Sequence, residues 1–175
     1  MELAQAMDML RGDHIAQHQK QEWADLGCGT GTFTLALAGL LSPKSLIHAM
    51  DTNPNALDQV PANYNSVTID KLKGDFERQS LPFDGLNGIL MANSLHYVKD
   101  KSAFIKKAIQ CLGKAGGFLL VEYDTKQANQ WVPYPLDFSM LQQLFQKEGF
   151  GTVKKLEERP SLFRSAKLYS VYIKR

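Results

Sequence analysis

The stretch Asp25-Leu26-Gly27-Cys28-Gly29-Thr30-Gly31 holds the residues of this chain best placed to do chemistry. Apolar residues lead into it, and the amphipathic run Thr32-Phe33-Thr34-Leu35-Ala36-Leu37-Ala38 follows. Such an order predicts a strand, a tight glycine turn and a helix opening over a ligand. Glycine serves where the backbone takes positive φ or where a ligand must approach without a Cβ in the way. Further on, Asp51 ends a second apolar run, Leu46-Ile47-His48-Ala49-Met50. An acid at the tip of a second strand, across from a glycine turn, suits the two hydroxyls of a ribose. His96 is the candidate general base, because an imidazole titrates near neutral pH. The alternative is a histidine that shapes a pocket floor or bonds the backbone. His14, His18 and His48 have no comparable placement.

These residues need a sheet to position them. Val67-Thr68-Ile69-Asp70-Lys71-Leu72 reads as a third strand, followed by Gly74-Asp75-Phe76-Glu77, and Gly88 to Asn93 as a fourth. Ala103, Phe104, Ile105, Ala108, Ile109 and Leu112 recur at helical spacing. Gly113, Gly116 and Gly117 are then expected to break the chain before a strand over Phe118–Glu122. Asn53 and Asp137 are expected to cap helices, with Pro54 in the first turn of one and Gly149 stopping the other. Residues 152–175 read as two strands around Arg159-Pro160-Ser161, with Phe163 and Arg164 in the connection.

The glycines separate two kinds of α/β site. A dinucleotide fold wants G-x-G-x-x-G, and counted from Gly27 its last position holds Thr32. The D-x-G-x-G-x-G form found here resembles motif I of the class I S-adenosylmethionine-dependent methyltransferases, and the later landmarks follow in that family's order. The resemblance covers nearly the whole chain. It implies a doubly wound α/β fold: a seven-stranded, mostly parallel sheet with an antiparallel last strand and helices on both faces. It implies S-adenosylmethionine as cofactor, held by Asp25, Gly27, Cys28, Gly29 and Gly31, by Asp51 with Thr52, and by Asn93. Asp75 and Phe76 match the places that receive and frame the adenine; the other reading of Asp75 is a turn acid bonding its own backbone.

Ligands on such sheets bind beyond the carboxyl ends of the parallel strands. That rule selects His96 and Tyr97 after strand four. It selects Glu122, Tyr123, Asp124 and the loop with Trp131 and Tyr134 after strand five, and Arg159, Phe163 and Arg164 after strand six. Tyr97, Tyr123, Trp131, Tyr134, Arg159 and Arg164 are therefore the candidate acceptor-binding residues. The alternatives are aromatics packed beneath their own loop and arginines that are surface charges.

Composition narrows the function. With 44% hydrophobic and 22% charged residues among 175, the chain reads as one globular domain, 1–175. It divides into an N-terminal helical segment (1–21), a cofactor-binding half (22–124) and an acceptor-side half (125–175) with a closing hairpin. Twenty basic against 18 acidic side chains leave a net charge of +2, which argues against a nucleic-acid groove. The two cysteines make neither a disulfide framework nor a metal site. No apolar run reaches membrane length and no secretion signal is evident, so a cytoplasmic location without membrane partners is expected. Asn93-Ser94-Leu95-His96 lacks the two prolines of the enzymes that methylate exocyclic amines, a cysteine nucleophile is missing there, and no carboxylate cluster suggests a metal.

The expected activity is methyl transfer from S-adenosylmethionine to a small organic acceptor by in-line displacement. Transfer to protein or RNA and a catalytically silent cofactor-binding module remain open alternatives. Hydride transfer is disfavoured by Thr32.

Overall fold

The computed structural model describes residues 1–15, 18–160 and 167–175. Helix α1 (Leu3–Leu10) precedes strand β1 (Glu22–Leu26), helix α2 (Thr32–Ala38), strand β2 (Leu46–Asp51) and the short helix α3 (Pro54–Leu57). Strands β3 (Asn63–Tyr64), β4 (Val67–Lys73) and β5 (Leu86–Ala92) follow, then a 3₁₀ turn at Leu95–Tyr97 and helix α4 (Lys101–Ile109). Strand β6 (Leu112–Tyr123), helix α5 (Phe138–Lys147) and strands β7 (Thr152–Pro160) and β8 (Lys167–Lys174) complete the order.

One sheet orders the strands β3-β4-β2-β1-β5-β6-β8-β7. The five from β4 to β6 run parallel, β8 is antiparallel to β6, and β7 is antiparallel to β8. This is the doubly wound sheet expected, with one difference: it has eight strands rather than seven. Asn63 and Tyr64 fold back antiparallel onto Thr68 and Val67, an edge pairing too short to show in a hydrophobic pattern.

Both faces are covered, as a parallel sheet requires. Side chains alternate along β1: Trp23 joins Ile47, Leu90 and Leu119 beneath α1 and α2, whereas Ala24 and Leu26 join Ile89, Met91 and Leu120 beneath α4 and α5. Phe118, Phe145 and Phe150 meet edge to face, with centroids 5.3–5.6 Å apart. Trp23 is 1% exposed, and its ring lies so close over Gly88 that a Cβ there would fall 2.3 Å from it.

The glycines at 113, 116 and 117 do not break the chain as expected but lie inside β6. They serve close approach between backbones: a Cβ on Gly117 would sit 2.4 Å from the Ile173 carbonyl oxygen of β8. The helix signals act as read. Asn53 accepts from the Asn55 N–H at 3.1 Å and Asp137 from the Met140 N–H at 2.7 Å. That backbone bond holds the Asp137 carboxyl below its usual range. No helix among the described residues is long and apolar enough to cross a membrane.

Candidate functional site

The carboxyl ends of β1, β2, β5 and β6 carry the predicted residues to one end of the sheet. The glycine turn is tied to β2, where the N–H groups of Gly27 and Cys28 donate to the Met50 carbonyl at 2.8 and 3.1 Å. Gly27, at φ +80°, lies so near Ser94 that a Cβ would fall 2.6 Å from the serine's own. Gly29, at φ +54°, has nothing within 4 Å of where a Cβ would stand. Packing explains the first glycine; only the backbone angle and open space explain the second, and open space beside a turn is where a ligand fits. Gly31, also at positive φ, begins α2. Cys28 and Cys111 are free, buried thiols, and burial pushes both up.

Asp51 braces the turn. Its Oδ2 accepts from the Gly29 N–H at 2.8 Å and its Oδ1 from the Asn53 N–H at 2.9 Å. Each carboxylate oxygen still has lone-pair capacity for a ligand hydroxyl. Thr52 beside it is exposed.

Asp25 is 1% exposed. Thr34 donates its hydroxyl to Oδ2 at 2.6 Å, while Oδ1 is buried without a partner. Desolvation, opposed by the Thr34 bond and reinforced by the Asp51 charge, pushes the Asp25 carboxyl up to about 7. Asn93, in the left-handed region at φ +55°, also presents a buried, unpartnered Oδ1. Buried polar atoms ordinarily have partners. Two orphan acceptors on one cavity mark a place for a ligand that donates.

Asp75 bonds its own turn, as its second reading foresaw. Its Oδ1 accepts from the N–H groups of Glu77 and Arg78 at 3.0 and 3.1 Å, and Oδ2 lies 3.7 Å from Arg78 Nε. The Phe76 ring meets Phe104 edge-on at 5.7 Å and reaches the glycine turn, where a Cβ on Gly27 would come 3.1 Å from it. Lys107 of α4, which carries no signal in the helical spacing, fixes this loop. Its ammonium donates to the carbonyls of Phe76, Glu77 and Gln79 at 2.7–2.9 Å.

A cavity of about 620 Å³ runs from Asp25 and Gly29, past Asn93 and Tyr123, to Arg159. Met1 and Gln5 close it from the α1 side, and Pro160 and Leu168 from the closing hairpin. The α1 contributions were not foreseen: they depend on long-range packing of α1 against α2 and β7. Gln5 also caps α1, its Oε1 accepting from the Glu2 N–H at 3.3 Å.

The remaining predicted residues divide. His96 does not line the cavity; it is 2% exposed beneath the rings of Tyr97 and Tyr123, at 4.5 and 6.1 Å. Glu122 grips it twice, accepting from the His96 backbone N–H at 3.1 Å and meeting Nδ1 at 2.7 Å. The strand-end rule had pointed to Glu122, and its partner lies 26 residues away in the chain. A carboxylate on Nδ1 leaves Nε2 as the basic nitrogen. Trp131 is 61% exposed and Tyr134 39%, so the aromatic loop does not wall the cavity. It is pinned instead to the 3₁₀ turn, where the Tyr134 N–H donates to the His96 carbonyl at 3.0 Å and Lys101 donates to the Val98 and Tyr134 carbonyls at 2.8 Å. Phe163 and Arg164 lie outside the described residues.

Comparison with known proteins agrees with this geometry. A family model described as a methyltransferase domain matches residues 24–116. A Listeria monocytogenes protein, provisionally described as an S-adenosylmethionine-dependent methyltransferase, superposes with a TM-score of 0.73 at 15% identity, over 99% of this chain and 97% of its own. An S-adenosylmethionine-dependent methyltransferase from Mesorhizobium loti gives 0.70 at 15%, over 92% and 94%. An arsenic(III) S-adenosylmethionine methyltransferase from Chlamydomonas reinhardtii gives 0.71 at 16%, over 98% and 72%. At such identities the superpositions establish the fold. No protein of curated function matches the sequence.

Proposed function

The chain belongs to the methyltransferase domain family, and on that premise we propose that it methylates a small organic acceptor lodged between Tyr123, the closing hairpin and α1. Its cofactor is S-adenosylmethionine. The residues present fit that group. Asp25 offers an orphan carboxyl oxygen to an ammonium, Asp51 offers lone pairs to a ribose, and the Gly29 turn leaves room for both. When bound, S-adenosylmethionine supplies a methyl group on a sulfonium, a leaving group that needs no acid assistance.

The chain's own part is to bind, orient and exclude water. Tyr123 and Leu168 give the acceptor an apolar wall, and Met1 and Gln5 close over it. His96 lies beneath that wall, so we assign it, with Glu122 fixing its ring and backbone, to positioning Tyr123 and the Leu95–Tyr97 turn. The observation that carries the small-acceptor reading is the far end of the cavity, which continues beyond the cofactor residues past Tyr123 to Leu168 and Arg159, with Met1 and Gln5 closing over it. A concave, mostly apolar recess with few polar groups suits a small molecule.

A screen with labelled S-adenosylmethionine against phenols, small carboxylic acids, bulk RNA and a protein extract tests this. Label should pass to a small acceptor with the highest kcat/KM. Faster labelling of RNA or protein than of every small molecule would overturn the reading.

A further inference from the structure

We propose that Arg159 is the specificity residue for the acceptor, and that the acceptor carries a carboxylate. The inference rests on the small-acceptor reading and deepens it.

Arg159 stands near the end of β7, directly across from Leu168, which stands across from Tyr123 on β6. The three side chains therefore share a face of the sheet and line one cavity. The guanidinium is half-buried, and its Nε is buried without a partner. Among the described residues no carboxylate pairs with it. Its neighbour Glu158 is held by Lys155 at 2.9 Å and Lys167 at 2.5 Å. Glu157, two positions back on the same face, makes no ion pair among the described residues. A buried donor left unmade is costly, and a planar fork of donors matches a carboxylate. One guanidinium suits one negative charge.

The cavity's other ionisable group of consequence is Asp25, on β1. The sheet order places β5, β6 and β8 between β1 and β7. Four steps of roughly 4.8 Å set the two strands about 19 Å apart in a flat sheet, and an extended arginine arm spans less than half of that. This distance decides whose anion Arg159 receives. The cofactor's own carboxylate is bonded to the same carbon as its ammonium. If Asp25 receives the ammonium, that carboxylate stays at the β1 end, out of Arg159's reach. The anion at the β7 end then belongs to the acceptor. The cavity is polarised, with an acid at the cofactor end and a cation at the acceptor end.

The test uses the full chain saturated with S-adenosylhomocysteine and matched pairs of probes: benzoate with benzamide, and 3-phenylpropionate with its amide. Binding is read by calorimetry. Each carboxylate should bind at least tenfold tighter than its amide. Arg159→Gln should reduce that ratio to near one while S-adenosylhomocysteine affinity stays within twofold, and Arg159→Lys should restore part of the preference. Equal binding of acid and amide to the unaltered chain would overturn the proposal and leave the small-acceptor reading standing. A parallel loss of S-adenosylhomocysteine affinity in Arg159→Gln would reassign the residue to the cofactor's carboxylate. If no probe binds and label goes to RNA or protein, the small-acceptor reading fails, and this proposal with it.

Discussion

Asp25→Asn separates the stability of this protein from its function. In the folded chain the carboxyl is pushed from 3.8 up to about 7, first by burial and then by the Asp51 charge, against the Thr34 bond. Between those two values the folded state holds a proton that the unfolded state releases. Stability therefore falls as pH rises through the interval, and the loss is complete above the folded value. An interval of about three pH units at 1.36 kcal/mol each amounts to about 4 kcal/mol near pH 8. The amide has the same shape, carries no charge, and keeps an oxygen for the Thr34 hydroxyl. Cofactor-free Asp25→Asn should thus be more stable than the unaltered chain near pH 8, by up to about 4 kcal/mol, and differ by less than about 1 kcal/mol near pH 4. Urea titrations across that range, compared by midpoint at constant slope, measure it. A stability difference independent of pH, or an unaltered chain that gains on the variant from pH 5 to 8, would refute the reasoning. S-adenosylhomocysteine should bind the variant more weakly, because its ammonium loses a counter-charge. In the unaltered chain near pH 6, its binding should release a proton, visible as a dependence of the calorimetric heat on the buffer.

Two further substitutions probe the supports of the site. Asp51→Ala removes an acceptor of charge-assisted bonds worth roughly 1.5–3 kcal/mol each. S-adenosylhomocysteine affinity should fall tenfold or more, and amide exchange at Gly29 should quicken because its N–H loses the carboxylate; unchanged affinity would leave Asp51 a turn brace alone. Glu122→Ala strips a buried partner from both His96 Nδ1 and its backbone N–H and should cost about 3 kcal/mol in urea unfolding. Glu122→Gln should recover part of that stability while turnover stays low at unchanged S-adenosylhomocysteine affinity; equal activity in Gln and unaltered chains would remove the positioning role.

Local rules made much of this molecule readable. The glycine spacing and Asp51 depend on a strand-turn-helix and its neighbouring strand, and both stand where the pattern put them. Caps at Asn53 and Asp137 are contacts within four residues, and they too were legible. Contacts across the fold were not. Gly113 to Gly117 read as a break because a glycine's need for close backbone approach is invisible until β8 is in place. The pairing of Glu122 with His96 joins the ends of adjacent strands, and pattern named the residues without their bond. Trp131 and Tyr134 looked like cavity walls by composition, yet their loop is drawn onto the 3₁₀ turn by backbone bonds that no side-chain type announces. Met1 and Gln5 reach the cavity only through the docking of α1.

The positions of the two tryptophans have an optical consequence. Trp23 is sealed against Gly88 with its indole N–H bonded to Gln21 at 2.9 Å, whereas Trp131 is 61% exposed on the loop beside the 3₁₀ turn. Their emission should separate into a blue component from the sheet and a red one from the loop. A soluble quencher such as iodide should extinguish only the second. Loss of the sheet would then appear as a red shift of the first, and rearrangement of the loop when an acceptor enters as a change in quenching at constant core signal. Opening and unfolding can therefore be followed apart in the unlabelled chain.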